Sequence, residues 1–200
     1  TPGYPPPRPT STPGPSPTPP PLPGPNACDG PIDDGGFEGP ELGRWRALGD
    51  FPALRVADPV HAGGGALQLG PAEDGAFGYA AAARGLTVPR DIVSGTLSLW
   101  LRADRPLGGD AFFLEWRRLE SGVRQVLLDG AALGPAGEWR RHEIALDRTQ
   151  LGDGGAAELL AALLHRGVEA PAVIQIDDVA LSLCRSGRAS AIIPSASRPQ

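Results

Sequence analysis

The sequence predicts an all-β protein that folds as a β-sandwich or a β-barrel. Short apolar segments alternate with polar residues, which is the pattern of half-buried strands. Turns rich in glycine and proline separate these segments, and the 200 residues include 28 glycines and 24 prolines. Many short strands between such turns are typical of sandwiches and barrels. A chain of this length has room for one domain with appendages.

The alternation is clearest in residues 95–102, where Leu97, Leu99 and Leu101 fall on one face of a predicted strand. Two further segments, separated by a short turn that contains glycine, predict a β-hairpin. They are Ala111–Arg118 and Val123–Asp129. The other predicted strands are 66–69, 139–146 and 173–183.

Residues 153–165 are ambiguous. Their alanine- and leucine-rich composition favours a short helix, with Asp153 as the N-cap and Gly167 as the stop signal. A sandwich would also accommodate a strand over 159–165. We expect the helix, and either outcome leaves the fold class unchanged.

The predicted domain, 27–185, is flanked by two segments of different composition. Thirteen of the first 25 residues are proline, so residues 1–26 predict an extended polyproline-II arm. The serines and threonines of this arm are typical of an O-glycosylated stalk, and an unmodified linker fits equally well. Residues 186–200 are small and polar and predict a tail.

Charge and composition exclude several classes of function. The chain carries 18 basic and 23 acidic residues, a net charge of −5, whereas a nucleic-acid binder needs a basic patch. No stretch approaches the roughly 18 consecutive apolar residues of a membrane helix. The chain has no methionine, and we expect that a signal peptide or anchor precedes it and directs it to the cell surface or the extracellular space.

The sequence also lacks familiar catalytic motifs. His61, His142 and His165 lie in three separate predicted elements, and there is no nucleophile elbow, His-Glu-x-x-His motif or phosphate loop. We therefore expect a protein that is not an enzyme.

Cys28 and Cys184 are the two cysteines, and they lie at opposite ends of the predicted domain. Two free thiols are possible, but oxidising compartments favour a disulfide in an exported chain. A bridge would bring the two Cα atoms to about 4.4–6.8 Å from each other. Two cysteines without a nearby pair of histidines do not form a zinc site.

Five motifs follow one another along the chain, and they lie at 34–45, 59–69, 95–102, 137–146 and 176–181. They include Gly36-Phe-Glu38 with Trp45, His61 before a glycine run, and Ile176-Asp-Asp-Val179. In this order they resemble the carbohydrate-binding-module jelly rolls of the galactose-binding-like superfamily, over residues 32–183. The resemblance implies a jelly-roll β-sandwich. Ala62, where the family often has serine, and the alanine-rich segment after Gly155 depart from the pattern.

The resemblance also implies a structural calcium ion where the Gly-Phe-Glu element meets the Ile-Asp-Asp-Val strand. Alternation along 173–183 slips by one residue at Asp177–Asp178, which predicts a β-bulge that would free carbonyl oxygens for a hard cation. The alternative is that Asp177 caps nearby backbone N–H groups and no ion binds. The expected ligands are Glu38, Asp177 and Asp178, with carbonyl groups near Asp34, Gly36 and Gly63.

Glycan binding needs planar aromatic rings and polar side chains on an accessible face. If the leucines of 95–102 point inward, a polar face around Trp100 points outward. We expect seven residues on it: Trp100, Arg102, Phe113, Glu115, Arg117, Gln125 and Arg141. The alternative is that these charges form cross-strand pairs and that a loop covers Trp100.

Two functions remain open at this point. The first is an exported, non-catalytic module that binds a polysaccharide or glycoconjugate through one face of the sandwich. The second is a structural or adhesive surface subunit without a soluble ligand, whose arm and tail assemble with further copies or with envelope proteins.

Overall fold

A computed structural model describes residues 28–185, and the predicted arm and tail lie outside this range. Within it, eleven strands form two antiparallel sheets, accompanied by one turn of α-helix and one 3₁₀ turn at Gly130–Ala132. The strands and the helix are β1 Cys28–Asp29, β2 Trp45–Gly49, β3 Ala53–Val56, β4 Ala66–Leu69, β5 Phe77–Val88, β6 Ile92–Ala103, β7 Ala111–Arg118, β8 Val123–Asp129, β9 Arg140–Asp147, α1 Arg148–Leu151, β10 Gly155–Arg166 and β11 Ile174–Arg185.

The two sheets form a sandwich, as the sequence predicts. Sheet A has the strand order β3-β4-β11-β6-β9, with β1 also paired to β11. Sheet B has the order β2-β5-β10-β7-β8. All predicted strands are present, within a few residues of their expected bounds.

The core lies between the inner faces of the two sheets. Leu97, Leu99 and Leu101 are buried there, as the alternation of 95–102 predicts. From sheet B, β7 contributes Phe112 and Trp116 to the same core. Burying a side chain of this size contributes about 1.5–3 kcal/mol to the free energy of unfolding.

The predicted helix at 153–165 is wrong, because this segment is β10, which lies between β5 and β7 at the centre of sheet B. Both faces of β10 are covered: Leu159 and Leu163 point into the core, and Leu160 and Ala162 lie in a second apolar cluster on the outer face. A strand buried on both faces loses the polar alternation that would identify it. Its alanines and leucines then resemble a helix by composition alone.

The predicted β-bulge is present. The pairing of β11 with β6 shifts register between Asp177 and Ala180, and Asp178 has a positive φ of 49°. The bulge places Asp177 and Asp178 beneath the loop that joins β3 to β4.

The predicted disulfide between Cys28 and Cys184 is confirmed. The two residues are direct cross-strand partners in β1 and β11, and their Cα atoms are 4.0 Å apart, closer than predicted from disulfides in general. Direct opposition in an antiparallel pair explains the short separation, because such partners approach to about 4.5 Å. Among residues 28–185, no helix has the length and hydrophobicity needed to cross a lipid bilayer.

We expect the disulfide to stabilise the domain strongly, because it links residues 156 positions apart. Closing so long a loop reduces the entropy of the unfolded chain by an equivalent of about 4–5 kcal/mol, as an upper value. Urea unfolding of the oxidised protein and of a Cys28→Ser/Cys184→Ser variant measures the difference. A loss of stability below about 1 kcal/mol, or two titratable thiols in the unfolded, unreduced protein, would contradict this account.

Candidate functional site

The structure separates the predicted glycan-binding residues, so the single face expected from the sequence is wrong. Trp100, Arg102 and Arg141 lie on β6 and β9 and point outward from sheet A. Phe113, Glu115 and Arg117 lie on β7 and point outward from sheet B. The outer faces of a sandwich point away from each other, so no small ligand contacts both groups. Gln125 joins neither, because it lies opposite the inward-facing Trp116.

Trp100 is covered by the loop between β3 and β4. The imidazole of His61 stacks on the indole, with ring centroids 3.6 Å apart and planes inclined by 16°. Trp139 approaches the same imidazole edge-on at 6.0 Å, and the Nδ1 atom of His61 lies 2.7 Å from Oδ2 of Asp178. The indole face that a sugar would need is therefore occupied by a side chain of the protein.

Arg102 is also engaged within the protein. It donates to the carbonyl oxygen of Gly137 at 3.0 Å and to Oε1 of Gln175 at 2.9 Å. Arg141 pairs with Glu143 at 3.1 Å on the exposed part of β9. Both arginines near Trp100 thus have partners within the protein.

The outer face of sheet B carries a row of paired charges. Glu158 of β10 accepts from Arg46 of β2 at 3.1 Å, and its other oxygen lies 3.6 Å from Arg117 of β7. The Nε atom of Arg117 also donates to Glu115 at 2.5 Å. The two carboxylates are only 9% and 8% exposed, and each has a guanidinium partner, as buried charges require.

Aromatic side chains lie on the same face, towards its other end. Phe77 and Tyr79 occupy alternate positions of β5 and are 77% and 43% exposed. Phe113 of β7 packs on small residues that include Ala81 and Ala162. The rings of Phe77 and Tyr79 are therefore open to solvent, and about 20 Å of β5 separates Tyr79 from Gly85, the cross-strand partner of Glu158.

The end of this face next to Glu158 carries few large side chains. Gly85 and Ala156 leave a depression bordered by Thr87, Leu119 and Arg44, and a Cβ atom on Gly85 would meet no other atom within 4 Å. A second depression lies on the far side of Glu158, between Arg117 and Arg124. We call the outer surface of three strand segments the sheet B face. It consists of the outward-pointing residues within 79–85 of β5, 156–162 of β10 and 113–117 of β7.

The sequence analysis missed four residues of this region: Phe77, Tyr79, Arg46 and Glu158. They lie on β5, β2 and β10, which were not predicted as strands. The alternation of Phe77 and Tyr79 around Gly78 is a strand signal that could have identified the start of β5. The four alanines that follow, Ala80–Ala83, hide the rest of it.

The structure brings some of the predicted calcium ligands close to one another. Glu38 accepts from the backbone N–H of Gly64 at 2.8 Å, and a Cβ on Gly63 would lie 1.8 Å from its other carboxylate oxygen. A Cβ on Gly36 would lie 3.8 Å from oxygens of both Glu38 and Asp178. The missing side chain of Gly63 therefore gives the Glu38 carboxylate its space, and Gly36 lies within ordinary contact distance of both carboxylates.

Asp34 does not join this group. Its Oδ1 atom pairs with the buried Arg84 at 3.2 Å, and its Oδ2 atom accepts from the backbone of Arg44 at 2.6 Å. Its carboxylate is thus satisfied within the protein, so this segment could reach an ion only through its backbone carbonyls, as the sequence analysis expects.

Asp177 is fully buried at the edge of the same loop. Burial raises the pKa of Asp177 above 3.8, and the neighbouring carboxylate of Asp178 adds to this, although backbone donors of His61, Asp178 and Ala62 oppose it. Because the folded-state pKa is raised, the stability linked to this group is fully present below the unfolded pKa and is lost as the pH rises through the folded value. Asp177 therefore caps backbone N–H groups, as the alternative stated from the sequence expects.

The remaining donors of a cation site would have to be backbone oxygens. Within residues 28–185, no three side chains of histidine, cysteine, aspartate or glutamate form a group that could hold a metal ion. Arg55 takes two carbonyl oxygens of this region, those of Phe37 at 2.7 Å and Gly64 at 2.5 Å. Carboxylate and carbonyl oxygens are the donors that calcium prefers, so the two carboxylates of Glu38 and Asp178 with nearby carbonyls suit calcium in chemical type.

No family model matches this chain, and no curated protein matches it. The fold, by contrast, is shared with solved structures. TmCBM61 in complex with β-1,4-galactotriose has 19% sequence identity and a TM-score of 0.56, and the match covers 76% of this chain and 97% of that one. The CBM22-1 xylan-binding domain of Xyn10C from Paenibacillus barcinonensis has 16% identity and a TM-score of 0.51, covering 78% and 96%.

The same fold also occurs in an enzyme. The Stig cyclase Fisc from Fischerella sp. TAU has 12% identity and a TM-score of 0.52, and the match covers 80% of this chain and 100% of that one. At such identities the similarity shows the fold alone, because one fold supports many functions. The chain therefore has the β-sandwich fold of carbohydrate-binding modules, as its motifs indicate.

Proposed function

We propose that the protein is an exported, non-catalytic module that binds a glycan on the sheet B face. The observation that carries this proposal is that one open face holds both the fixed row Arg46–Glu158–Arg117–Glu115 and, about 20 Å farther along β5, the exposed ring of Tyr79. Sugar rings stack on planar aromatic groups, and their hydroxyls both donate and accept hydrogen bonds. The sheet B face supplies both kinds of contact.

Preorganisation favours this face over the outer face of sheet A. The side chains of Arg46, Glu158 and Arg117 already hold one another in fixed positions, so a ligand would not have to order them. On the other face, His61 already occupies the ring of Trp100. Export is supported by the disulfide, because such bonds persist in oxidising compartments.

The end of the sheet B face next to Glu158 allows a direct test. A Gly85→Leu side chain would fill the depression without a steric clash, because its Cβ meets no atom within 4 Å. The variant should keep or gain stability, since glycine inside a strand costs about 0.5–1 kcal/mol relative to alanine. Binding to the glycan should weaken at least tenfold, as measured by affinity electrophoresis or calorimetry after a glycan array has identified ligands.

Ala145→Leu is the matched control. Ala145 is exposed on β9 and points outward from sheet A, so this variant also adds a leucine to a solvent-exposed strand and should bind normally. If Gly85→Leu binds as well as the unaltered protein, the sheet B face is not the site. If a broad glycan array gives no saturable binding at all, the proposed function is wrong.

We further propose that a structural calcium ion binds at the bulge, held by the carboxylates of Glu38 and Asp178 and by carbonyls of Gly36 and Gly63. Oxygens of Glu38 and Asp178 lie near the same glycine, Gly36, which supports this proposal. The carboxylate of Asp177 accepts from the backbone N–H groups of His61, Ala62 and Asp178, so it would support the site by fixing the bulge. The ion would stabilise the junction of the Gly-Phe-Glu element with β11, and it would have no catalytic role.

Calcium should therefore raise the melting temperature relative to excess chelator. A ligand present at 100 times its dissociation constant stabilises the folded state by about 2.7 kcal/mol. Glu38→Gln should abolish this stabilisation, whereas Glu41→Gln, in the exposed part of the same loop, should retain it. Equal melting temperatures of the unaltered protein in calcium and in chelator would refute the ion.

A further inference from the structure

Two arginines face each other across the hairpin that borders the sheet B face. Arg117 of β7 and Arg124 of β8 are direct cross-strand partners, so both side chains leave the sheet on the same side. Like charges in this position destabilise a strand pair. The hairpin therefore keeps an unfavourable pair of guanidinium groups at the edge of the candidate site.

The two arginines differ in how they are neutralised. Arg117 has Glu115 at 2.5 Å and Glu158 at 3.6 Å. Arg124 is exposed, and none of the ion pairs within residues 28–185 includes it. Its positive charge is thus available to a ligand.

A depression lies beside the two arginines. It is bordered by Arg117, Arg118, Leu119, Arg124 and Glu158, and by Gly122 and Val123 at the hairpin turn. Gly122 has a positive φ of 66°, and a Cβ on it would meet no atom within 4 Å. A ligand group bound in this depression therefore has room to reach both Arg117 and Arg124.

The charge balance of this region is opposite to that of the whole protein. Three arginines, Arg117, Arg118 and Arg124, and one carboxylate, Glu158, line the depression, which leaves an excess of two positive charges there. The chain as a whole has a net charge of −5. Both oxygens of Glu158 are paired with arginines, so its repulsion of an anion in the depression is largely cancelled.

We propose that this depression binds the carboxylate of a uronic acid residue, so that the module prefers acidic glycans to neutral ones. The proposal rests on the proposed function of the sheet B face. Arg124 provides the main contact to the carboxylate, with Arg117 on the other side. A planar carboxylate matches the two parallel N–H groups of a guanidinium.

Polygalacturonate and its methyl ester give a matched pair of probes, because they share one sugar backbone and differ in charge. Calorimetry should show at least tenfold tighter binding of the acidic polymer, as expected for one charge-assisted contact of this kind. Arg124→Gln should reduce this preference to about twofold or less. Arg141→Gln, which removes an exposed arginine from the outer face of sheet A, should leave the preference unchanged.

The stability of Arg124→Gln separates binding from folding. Its melting temperature should equal or exceed that of the unaltered protein, because the variant removes a like-charge pair. The preference for the acidic polymer should also fall as salt is raised from 50 to 500 mM, concentrations at which exposed charges are increasingly screened.

The outcomes distinguish this inference from the proposed function. Equal binding of the two polymers, or a preference that survives Arg124→Gln, would overturn the acidic subsite while leaving glycan binding intact. Tighter binding of a sulfated glycan such as heparin than of any uronate polymer without sulfate would overturn the carboxylate assignment. If no glycan of either charge binds, both the subsite and the proposed function are wrong.

Discussion

The pairing of β10 with strands on both sides is the constraint on which the rest of the structure depends. β10 forms twelve residue pairs with β5 and eight with β7, so it holds together the two halves of sheet B. Its inner residues, Leu159 and Leu163, close the core, and its outer residues form the floor of the sheet B face. The same strand carries Glu158 to a position where Arg46 and Arg117 can reach it from the two flanking strands.

Small residues make this arrangement possible. Ala81 and Ala83 of β5 and Ala162 of β10 leave space for Leu48 and Phe113, from neighbouring strands, to pack against them. Farther along, Gly85 and Ala156 carry no large side chain, and the surface opens into a depression. The alanine-rich composition of β5 and β10 therefore determines both the packing of the outer cluster and the open end of the candidate site.

The two outer faces of the sandwich differ because of one loop. The segment between β3 and β4 folds over sheet A, where its backbone donates to Asp177 and His61 stacks on Trp100. This contact and the bulge in β11 fix the loop over the outer face of sheet A. The aromatic rings of Phe77 and Tyr79 on β5 in sheet B remain exposed, which is why the proposed function places the glycan on that sheet.

Sequence patterns predicted the fold well and the site only in part. Strands with one polar face, such as β6, β7 and β9, were identified because alternation survives where one side meets solvent. The motifs at Gly36–Glu38 and Ile176–Val179 located the bulge and its carboxylates. The pairing of Glu158 with Arg46 was not predictable, because 112 residues separate them and β10 resembles a helix by composition. The sheet to which each polar strand belongs was also hidden, so residues of β6 and β7 were assigned to one face.

The most direct measurement of the central claim is the mapping of backbone amide shifts by NMR during titration with soluble oligosaccharides, galactotriose, xylotriose and trigalacturonate among them. The account predicts that the perturbed amides cluster on β5, β10 and β7 around Glu158. A cluster on β6 and β9 around Trp100 would contradict it.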